Sequence, residues 1–383
     1  MAVSVGGIVD NTDYIGLVDR LNSVLGNGSG QTGYGQVCSS ARDYKDRTGV
    51  TNPVKTAADI TSTAWNALRT DINRSWNHQQ GGNSGISTIA STAIIGADAT
   101  GLSVTRISGD TFSINSPDND EGFNDFDSRV ASIESNSNLI ASGQFELTTG
   151  QQFVNSSRTT AWGAPNNTDL MIFSELTVEF EGGYDTTDST GAVVTASAAD
   201  HRRHFFNAGG EIRLSASLSG STEKDTDWGT MLGNMDQVIF GKNATTLSDS
   251  GSGRARDGST NVDGAGGIES ALGNYQVTTG YQLIFQKNGS QTEYAENLVA
   301  IYVKRNNAGT ILTFLFEFYD NDSGDQRPRE PGAGDPAGPG VDESVLASGG
   351  SMSCGLDLKR PNVAAHVNIP EPAAAVQTEL RLT

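Results

Sequence analysis

Cysteine is all but missing: Cys38 and Cys354 are the only two among 383 residues, and they sit near opposite ends of the chain. Neither belongs to a CxxC pair or has the partners of a zinc site, so both read as structural thiols and no metal is expected. Histidine is the next scarcest reagent, with His78, His201, His204 and His366 alone. Lys and Arg number 25 against 45 Asp and Glu, a formal net charge of −20. Binding to nucleic acid rests on neutralised phosphates, and no basic patch beyond Arg202 and Arg203 stands out, so no nucleic acid is expected as a partner. No run approaches the roughly 18–20 consecutive apolar residues of a membrane helix. The opening MAVSVGGIVDNTDY also lacks the basic start and apolar centre of a secretory signal. The expectation is a soluble protein, not exported by a signal of its own and without a membrane partner.

What the chain has in abundance is glycine, 46 residues, while charged residues fall to 18% and hydrophobic ones to 36%. Ser, Thr and Asn fill the difference. Such a composition suits a β-rich, loop-rich extracellular or particle-borne protein better than a compact metabolic enzyme, and the length allows two or three domains.

Hydrophobic periodicity divides the chain into four stretches and predicts an α+β protein: N-terminal helices, then a mainly antiparallel, sandwich-like β domain with long loops, then an extended C-terminal arm. Residues 1–80 form the helical segment. Tyr14, Leu17, Val18, Leu21, Val24 and Leu25 recur at steps of three and four, with Asn11 and Thr12 as caps and Gly26 as the stop. After the Gly-rich loop GNGSGQTGYGQ, a second helix carries Ile60, Ala64, Leu68, Ile72 and Trp76, capped by Thr56. Residues 81–144 read as a Gly/Ser/Thr-rich connector with short strands around Phe112 and Ile114. It includes a helix through Phe123, Phe126, Val130 and Ile133, entered past Asp118 and Asp120, which suit the positive end of the helix dipole.

Residues 145–326 switch to a period of two. Leu176, Val178 and Phe180 alternate with Glu175, Thr177, Glu179 and Glu181; Ile212, Leu214, Ala216 and Leu218 repeat the pattern. Three further runs follow, divided at Asn288-Gly289 and at Asn306 to Gly309, which predicts a three-stranded antiparallel meander with tight turns. Long polar insertions, YDTTDSTGAVVTASAAD and KNATTLSDSGSGRARDGSTNVDGAGG, exceed ordinary connections and point to function or disorder. Seven of the ten prolines lie from Pro328 onward, so residues 327–383 read as a Pro/Gly-rich extended C-terminal arm.

The usual catalytic signatures fail on named residues. The GNGSGQTGYG loop follows a helix instead of a strand, so its amides are not presented as a phosphate loop presents them. Gly241-Lys242 lacks the earlier glycine and the following hydroxyl, and neither GxSxG nor HExxH occurs. HRRH at 201–204 has metal-compatible spacing on a helix, but the adjacent arginines oppose a divalent cation, and a surface or subunit-contact role is expected. Asp320, Asp322 and Asp325 depart from the calcium-loop pattern at Gly324, Asp325 and Pro331, and read as a solvated turn. Glu179, Glu181 and Glu317 suit the wet face of strands better than a glycosidase pair. Trp65, Trp76, Phe205, Phe206 and Trp228 suit a core or a subunit interface. No catalytic, cofactor-binding or metal-binding residue is therefore assigned, no cofactor is expected, and the protein is read as not an enzyme.

One block does resemble a known group. Arg203-His204-Phe205-Phe206-Asn207-Ala208-Gly209-Gly210-Glu211-Ile212-Arg213, followed by a strand and by Trp228, Met231 and Leu232, resembles virion structural proteins of tailed bacteriophages, especially contractile-tailed phages of marine cyanobacteria. IGLVDRLNSVLGNGSGQTGYGQ is similar to the opening of the same proteins. The resemblance covers about a third of the chain and its motifs are structural, with Asn207 to Gly210 making a sharp turn that buries Phe205 and Phe206 ahead of a new strand. It implies a non-enzymatic virion component of the tail, baseplate or neck, assembled in the host cytoplasm. Its partners would be other virion structural proteins and copies of itself in a trimer or hexamer. The alternatives are a host-surface glycan-binding adhesin or fibre protein, a head decoration protein, or a hydrolase of surface polysaccharide.

Overall fold

The computed structural model describes residues 11–45, 62–86, 88–89, 103–105, 111–113, 123–147, 153–163, 170–235, 237–247, 268–289, 297–321, 344–346 and 349–382. The expected helix cap at Thr56 with Ile60, the entry residues Asp118 and Asp120, Ile114, Asp322 and Asp325, most of the second polar insertion, and Pro328 to Pro339 lie outside the described residues. The chain forms two compact units that do not follow linear order. One comprises Met1–Glu146, Glu181–Gly209 and Arg360–Glu371; the other comprises Leu147–Phe180, Gly210–Lys359 and Pro372–Thr383.

The first unit is helical where the 3.6 period is strongest. Helix α1 (Asn11–Leu25) buries Tyr14, Leu17, Val18, Leu21, Val24 and Leu25, and the Gly26 amide closes its end on the Asn22 carbonyl at 2.8 Å. A short α2 (Ser39–Lys45) precedes α3 (Ser62–Gln80), and α4 (Phe123–Ser135) buries Phe123, Phe126, Val130 and Ile133. Trp65 of α3 is the hub: its ring lies 5.0 Å from Tyr14 and 5.0 Å from Phe126, edge-on to both. Each such pair adds about 0.5–1.5 kcal/mol beyond the area it buries. Arg20 of α1 reaches Asp127 and Glu134 of α4, the latter at 2.7 Å, which fixes the two helices in register. Trp76 is half-buried under the Arg129 guanidinium.

Strands β1 (Ser103–Thr105) and β2 (Thr111–Ser113) form an antiparallel pair. The first polar insertion is ordered, which removes the expectation of disorder there. Strands β6 (Asp185–Thr187) and β7 (Val193–Thr195) make a hairpin that leads into α5 (Ala198–Asn207). Asp188 is the reason, because its Oδ1 accepts from the amides of Thr190 and Ala192 and turns the chain back.

The second unit is built on two antiparallel sheets. The first runs β10 (Thr245–Leu247), β9 (Val238–Phe240), β8 (Glu211–Ser219), β15 (Ser351–Pro361), with β4 (Val154–Arg158) on the far side of β15; β3 (Phe145–Leu147), which also joins this sheet, begins in the residues of the first unit. The second runs β11 (Ile268–Glu269), β12 (Gln282–Asn288), β13 (Leu298–Arg305), β14 (Ile311–Tyr319), β5 (Met171–Glu179), β16 (Ala373–Leu382). Period-two burial sets the inner faces: Ile172, Leu176 and Val178 on β5, Leu312, Phe314, Phe316 and Phe318 on β14, and Ile212 and Leu214 on β8. Across the sandwich Phe240 meets Phe314 at 5.4 Å. Helix α6 (Glu223–Met235) covers β8 with Trp228, Met231, Leu232 and Met235, all fully buried.

Both sides of the sandwich are stitched. The Thr245 amide of β10 donates to the Ser270 carbonyl just beyond β11 at 2.9 Å, and the Leu380 amide of β16 donates to Ser156 Oγ of β4 at 2.7 Å. Bare strand edges invite pairing with other chains, and these bonds occupy part of each edge.

The meander is present as β12, β13 and β14. Asn306 closes its second turn by accepting from the Thr310 amide through its side chain. The first connection is longer than a tight turn, since Asn288 pairs with Leu298 and residues 289–297 intervene. The expected C-terminal arm also differs. Residues 351–361 are an interior strand and 373–382 a sheet strand, because Met352, Cys354, Leu356 and Leu358 alternate inward. Four of the seven prolines that suggested an arm, Pro328 to Pro339, precede these strands, and the other three lie at the end of β15 or between it and β16.

Candidate functional site

The Gly-rich loop after α1 and the HRRHFFNAGG segment, some 170 positions apart, meet inside the first unit. Ser197 caps α5 through a reciprocal pair: its Oγ accepts from the Asp200 amide at 3.1 Å, and the Asp200 carboxylate accepts from the Ser197 amide at 3.2 Å. The helix then presents Arg203, His204 and Asn207 to the Gly-rich loop. Arg203 donates to the Asn27 and Thr32 carbonyls at 2.6 and 2.8 Å and to Asn27 Oδ1 at 2.8 Å. Asn207 donates to the Thr32 carbonyl at 2.8 Å. Two carbonyls of the loop after α1 are thus satisfied by a guanidinium and an amide.

His204 is fully buried, and both ring nitrogens are occupied. The acceptors around Nε2 assign the proton there, donated to Asn27 Oδ1 at 2.9 Å, so the Tyr184 hydroxyl donates to Nδ1 at 2.8 Å. Burial, with the Arg203 charge second, pushes its pKa down to about 4. His201, 1% exposed, is assigned in the same way. Its Nε2 donates to the Pro370 carbonyl at 2.9 Å, and Nδ1 accepts from the amides of Glu181 and Gly182 at 3.2 and 3.3 Å. Burial lowers its pKa as well. The expected surface or subunit-contact role of these histidines is corrected: they are interior and neutral, His204 engaged with the Asn27 and Tyr184 side chains and His201 with backbone groups, because the loop and the 360–371 segment fold over them.

Gly35 explains why that loop is glycine-rich. It sits at φ +69°, and a Cβ there would lie 2.2 Å from His204 Nδ1. Gly35→Ala should therefore destabilise the first unit by about 2–4 kcal/mol, combining backbone strain with overpacking. Gly30 is the control, with a similar φ of +54° and open space around its Cβ position. Gly30→Ala should cost only the backbone component, about 1–2 kcal/mol. Urea denaturation of the two variants checks the difference, and equal losses would remove the packing argument.

The other candidates are placed as follows. Cys38 is buried, with its Sγ 3.5 Å from Asp71 Oδ2 and burial pushing its thiol well above the ordinary range. Burial raises the Cys354 thiol to about 12. Neither is a ready nucleophile, since thiolate is the reactive form. His78 is buried against the Ala208 carbonyl at 2.9 Å, and His366 is half-buried beside Gln144. Gly241-Lys242 occupies the β9–β10 turn, closed by the Gly241 amide on the Ala244 carbonyl at 3.0 Å. Phe205, Phe206 and Trp228 are core residues.

Asp320 corrects another expectation. It is fully buried, not part of a solvated turn, because the alternation that buries Phe314, Phe316 and Phe318 continues one step past β14. Its Oδ2 pairs with Lys224 at 3.0 Å. Glu317 lies on the outer face of the second sheet, where it accepts from Tyr319 at 2.5 Å. Its neighbour there is Glu175, which accepts from Tyr281 and which the sequence reading did not single out. Glu179 is exposed at the end of β5, and Glu181 belongs to the first unit. Sequence reasoning also missed Tyr184 and Lys224. A lysine inside a helix that buries Trp228, Met231 and Leu232 was the available clue to the second.

Among the described residues, no group of three or more His, Cys, Asp or Glu is positioned to hold a metal ion, and no helix is long and apolar enough to cross a membrane. No protein-family model matches the chain, and no curated protein or solved structure matches it.

Proposed function

We propose that this chain is a non-enzymatic structural component of a tailed-phage virion, associated with the tail, baseplate or neck, and acting through contacts with copies of itself and with other virion proteins. One observation carries the reading. The two blocks that resemble virion proteins, the Gly-rich loop after α1 and HRRHFFNAGG on α5, are partners in a single hydrogen-bonded cluster. A shared architectural core accounts for both blocks together, because each exists to satisfy the other. The imidazoles that an enzyme would use are neutral, enclosed and engaged with Asn27, Tyr184, Pro370 and the amides at 181–182. Synthesis and assembly take place in the host cytoplasm on this reading, and a symmetric homo-oligomer is the working state.

Mass spectrometry and cryo-electron microscopy of purified particles test the proposal. The chain should be found in stoichiometric copies at a symmetric position on the tail, baseplate or neck. Its absence from particles would defeat the idea, and density on the head would support the decoration-protein alternative.

A second reading, a glycan-binding adhesin or fibre protein, is favoured by the outer face of the second sheet. Tyr281 and Tyr319 stand there with Glu175 and Glu317, aromatic surfaces beside carboxylate acceptors of the kind that recognise sugar hydroxyls. Glycan-array binding lost in Tyr281→Ala would favour this reading over a purely architectural one.

A further inference from the structure

Lys224 and Asp320 are both 0% exposed, and Lys224 Nζ lies 3.0 Å from Asp320 Oδ2. The lysine comes from the first turn of α6 and the aspartate from the residue following β14. Their surroundings are closely packed. A Cβ on Gly163 would stand 2.1 Å from Asp320 Oδ2, so only glycine lets the chain pass there. The Trp228 ring lies 5.4 Å from Trp162, the residue before Gly163, and 6.2 Å from Phe318, which shares the inner face of β14 with Asp320. Two more carboxylates on α6 are enclosed, Asp225 at 1% and Asp227 at 0% exposure. Asp227 stands three residues after Lys224, a spacing that puts both on one side of the helix.

An ammonium and a carboxylate kept from water are costly to hold as ions. A proton passed across the 3.0 Å N–O contact leaves a neutral amine beside a neutral carboxylic acid, with the nitrogen touching an oxygen bonded to the Cγ it would attack. We propose that Lys224 and Asp320 become joined by an intramolecular amide bond, with Asp227 carrying the proton between nitrogen and departing oxygen. Lys224 gives one proton to the Asp320 carboxylate, and the amine lone pair then attacks Cγ and forms the C–N bond. Asp227 takes a proton from that nitrogen and passes it to the acid hydroxyl, which leaves as water while the carbonyl re-forms. Ammonium and carboxylate become one amide and one water, and no oxidant, metal or cofactor takes part. The product ties α6 to the end of β14 and replaces two buried charges with a neutral group. The inference is independent of where, or whether, the protein sits on a particle.

Intact-mass measurement of the purified, folded full chain after denaturation is the test, with Lys224→Arg as the reference, since arginine keeps the charge but forms no such amide. The wild-type chain should be lighter than its sequence by one water and Lys224→Arg should have its full mass. Proteolysis should release a branched peptide joining Lys224 to Asp320. Asp320→Asn should lose ammonia in place of water. Asp227→Asn should form the bond more slowly by on the order of 100-fold or more, as loss of a proton carrier requires. A folded wild-type chain at full mass would overturn the proposal whatever the variants do. Bond formation at the wild-type rate in Asp227→Asn would remove that residue from the role.

Discussion

Trp228→Ala is expected to destabilise the β unit by about 3–5 kcal/mol, the range for removing a fully enclosed large aromatic. The indole is 0% exposed, edge-on to Trp162 at 5.4 Å and to Phe318 at 6.2 Å, so it joins α6 to the inner face of β14 and to the chain ahead of β5. Truncation forfeits the transfer of its surface, both ring pairs, and the packing of the helix over β8. A loss of this size can consume a large part of a domain's stability. Urea denaturation measures it. Leu139→Ala provides the baseline, because Leu139 is 49% exposed and should shift stability by no more than about 0.5 kcal/mol. If Trp228→Ala lost no more than that, Trp228 would not be the anchor of α6.

Acid should loosen the first unit well before general acid denaturation. His204 has its pKa lowered from 6.5 to about 4 by burial and by Arg203, and burial lowers His201 in the same direction. The sign follows from which state binds protons. Above the ordinary value of 6.5 both imidazoles are neutral in the folded and the unfolded chain, and the full stability is present. As pH falls below that value the unfolded chain takes up protons that the folded chain refuses, until His204 titrates near pH 4. At 1.36 kcal/mol per unit, His204 alone accounts for about 3 kcal/mol lost across this window, and His201 adds to it. The structural reason is visible at the rings. A charge on His204 would be enclosed beside the Arg203 guanidinium, and a second proton on His201 would face two backbone amides. Hydrogen exchange in the 26–37 loop, compared at pH 7 and near pH 4.5, should show protection falling in the wild type. The pH dependence should flatten in His204→Gln even though that variant is weaker overall, and an unchanged slope would refute the linkage.

Both expectations concern contacts that no local pattern announces. The helix through Tyr14, Leu17, Val18 and Leu21, the helix through Phe126, Val130 and Ile133, and the strands around Phe314 and Leu176 were legible because burial of one face imposes a period on adjacent residues. The Gly-rich loop was correctly placed after a helix, yet its role was hidden, since its partners Arg203, His204 and Asn207 lie some 170 positions away. His201 and His204 look like surface residues in sequence because polarity predicts exposure, and only the carbonyls and amides folded around them make burial tolerable. Asp320 was misplaced for the same reason. The strands at 351–361 and 373–382 were overlooked because the prolines before them dominate the composition of the whole C-terminal stretch.

What the amino-acid order decided alone was therefore the local material: which segments bury one face as helix or strand, where glycine and asparagine turn the chain, and the scarcity of thiols, imidazoles and positive charge. The tertiary structure decided which distant segments complete one another: the loop at 26–37 with α5, Lys224 with Asp320, and the last strand with β5. Period and turn chemistry act between neighbours in the chain. The satisfaction of a buried polar group depends on whatever the fold brings within hydrogen-bonding distance, and that distance has no counterpart along the sequence.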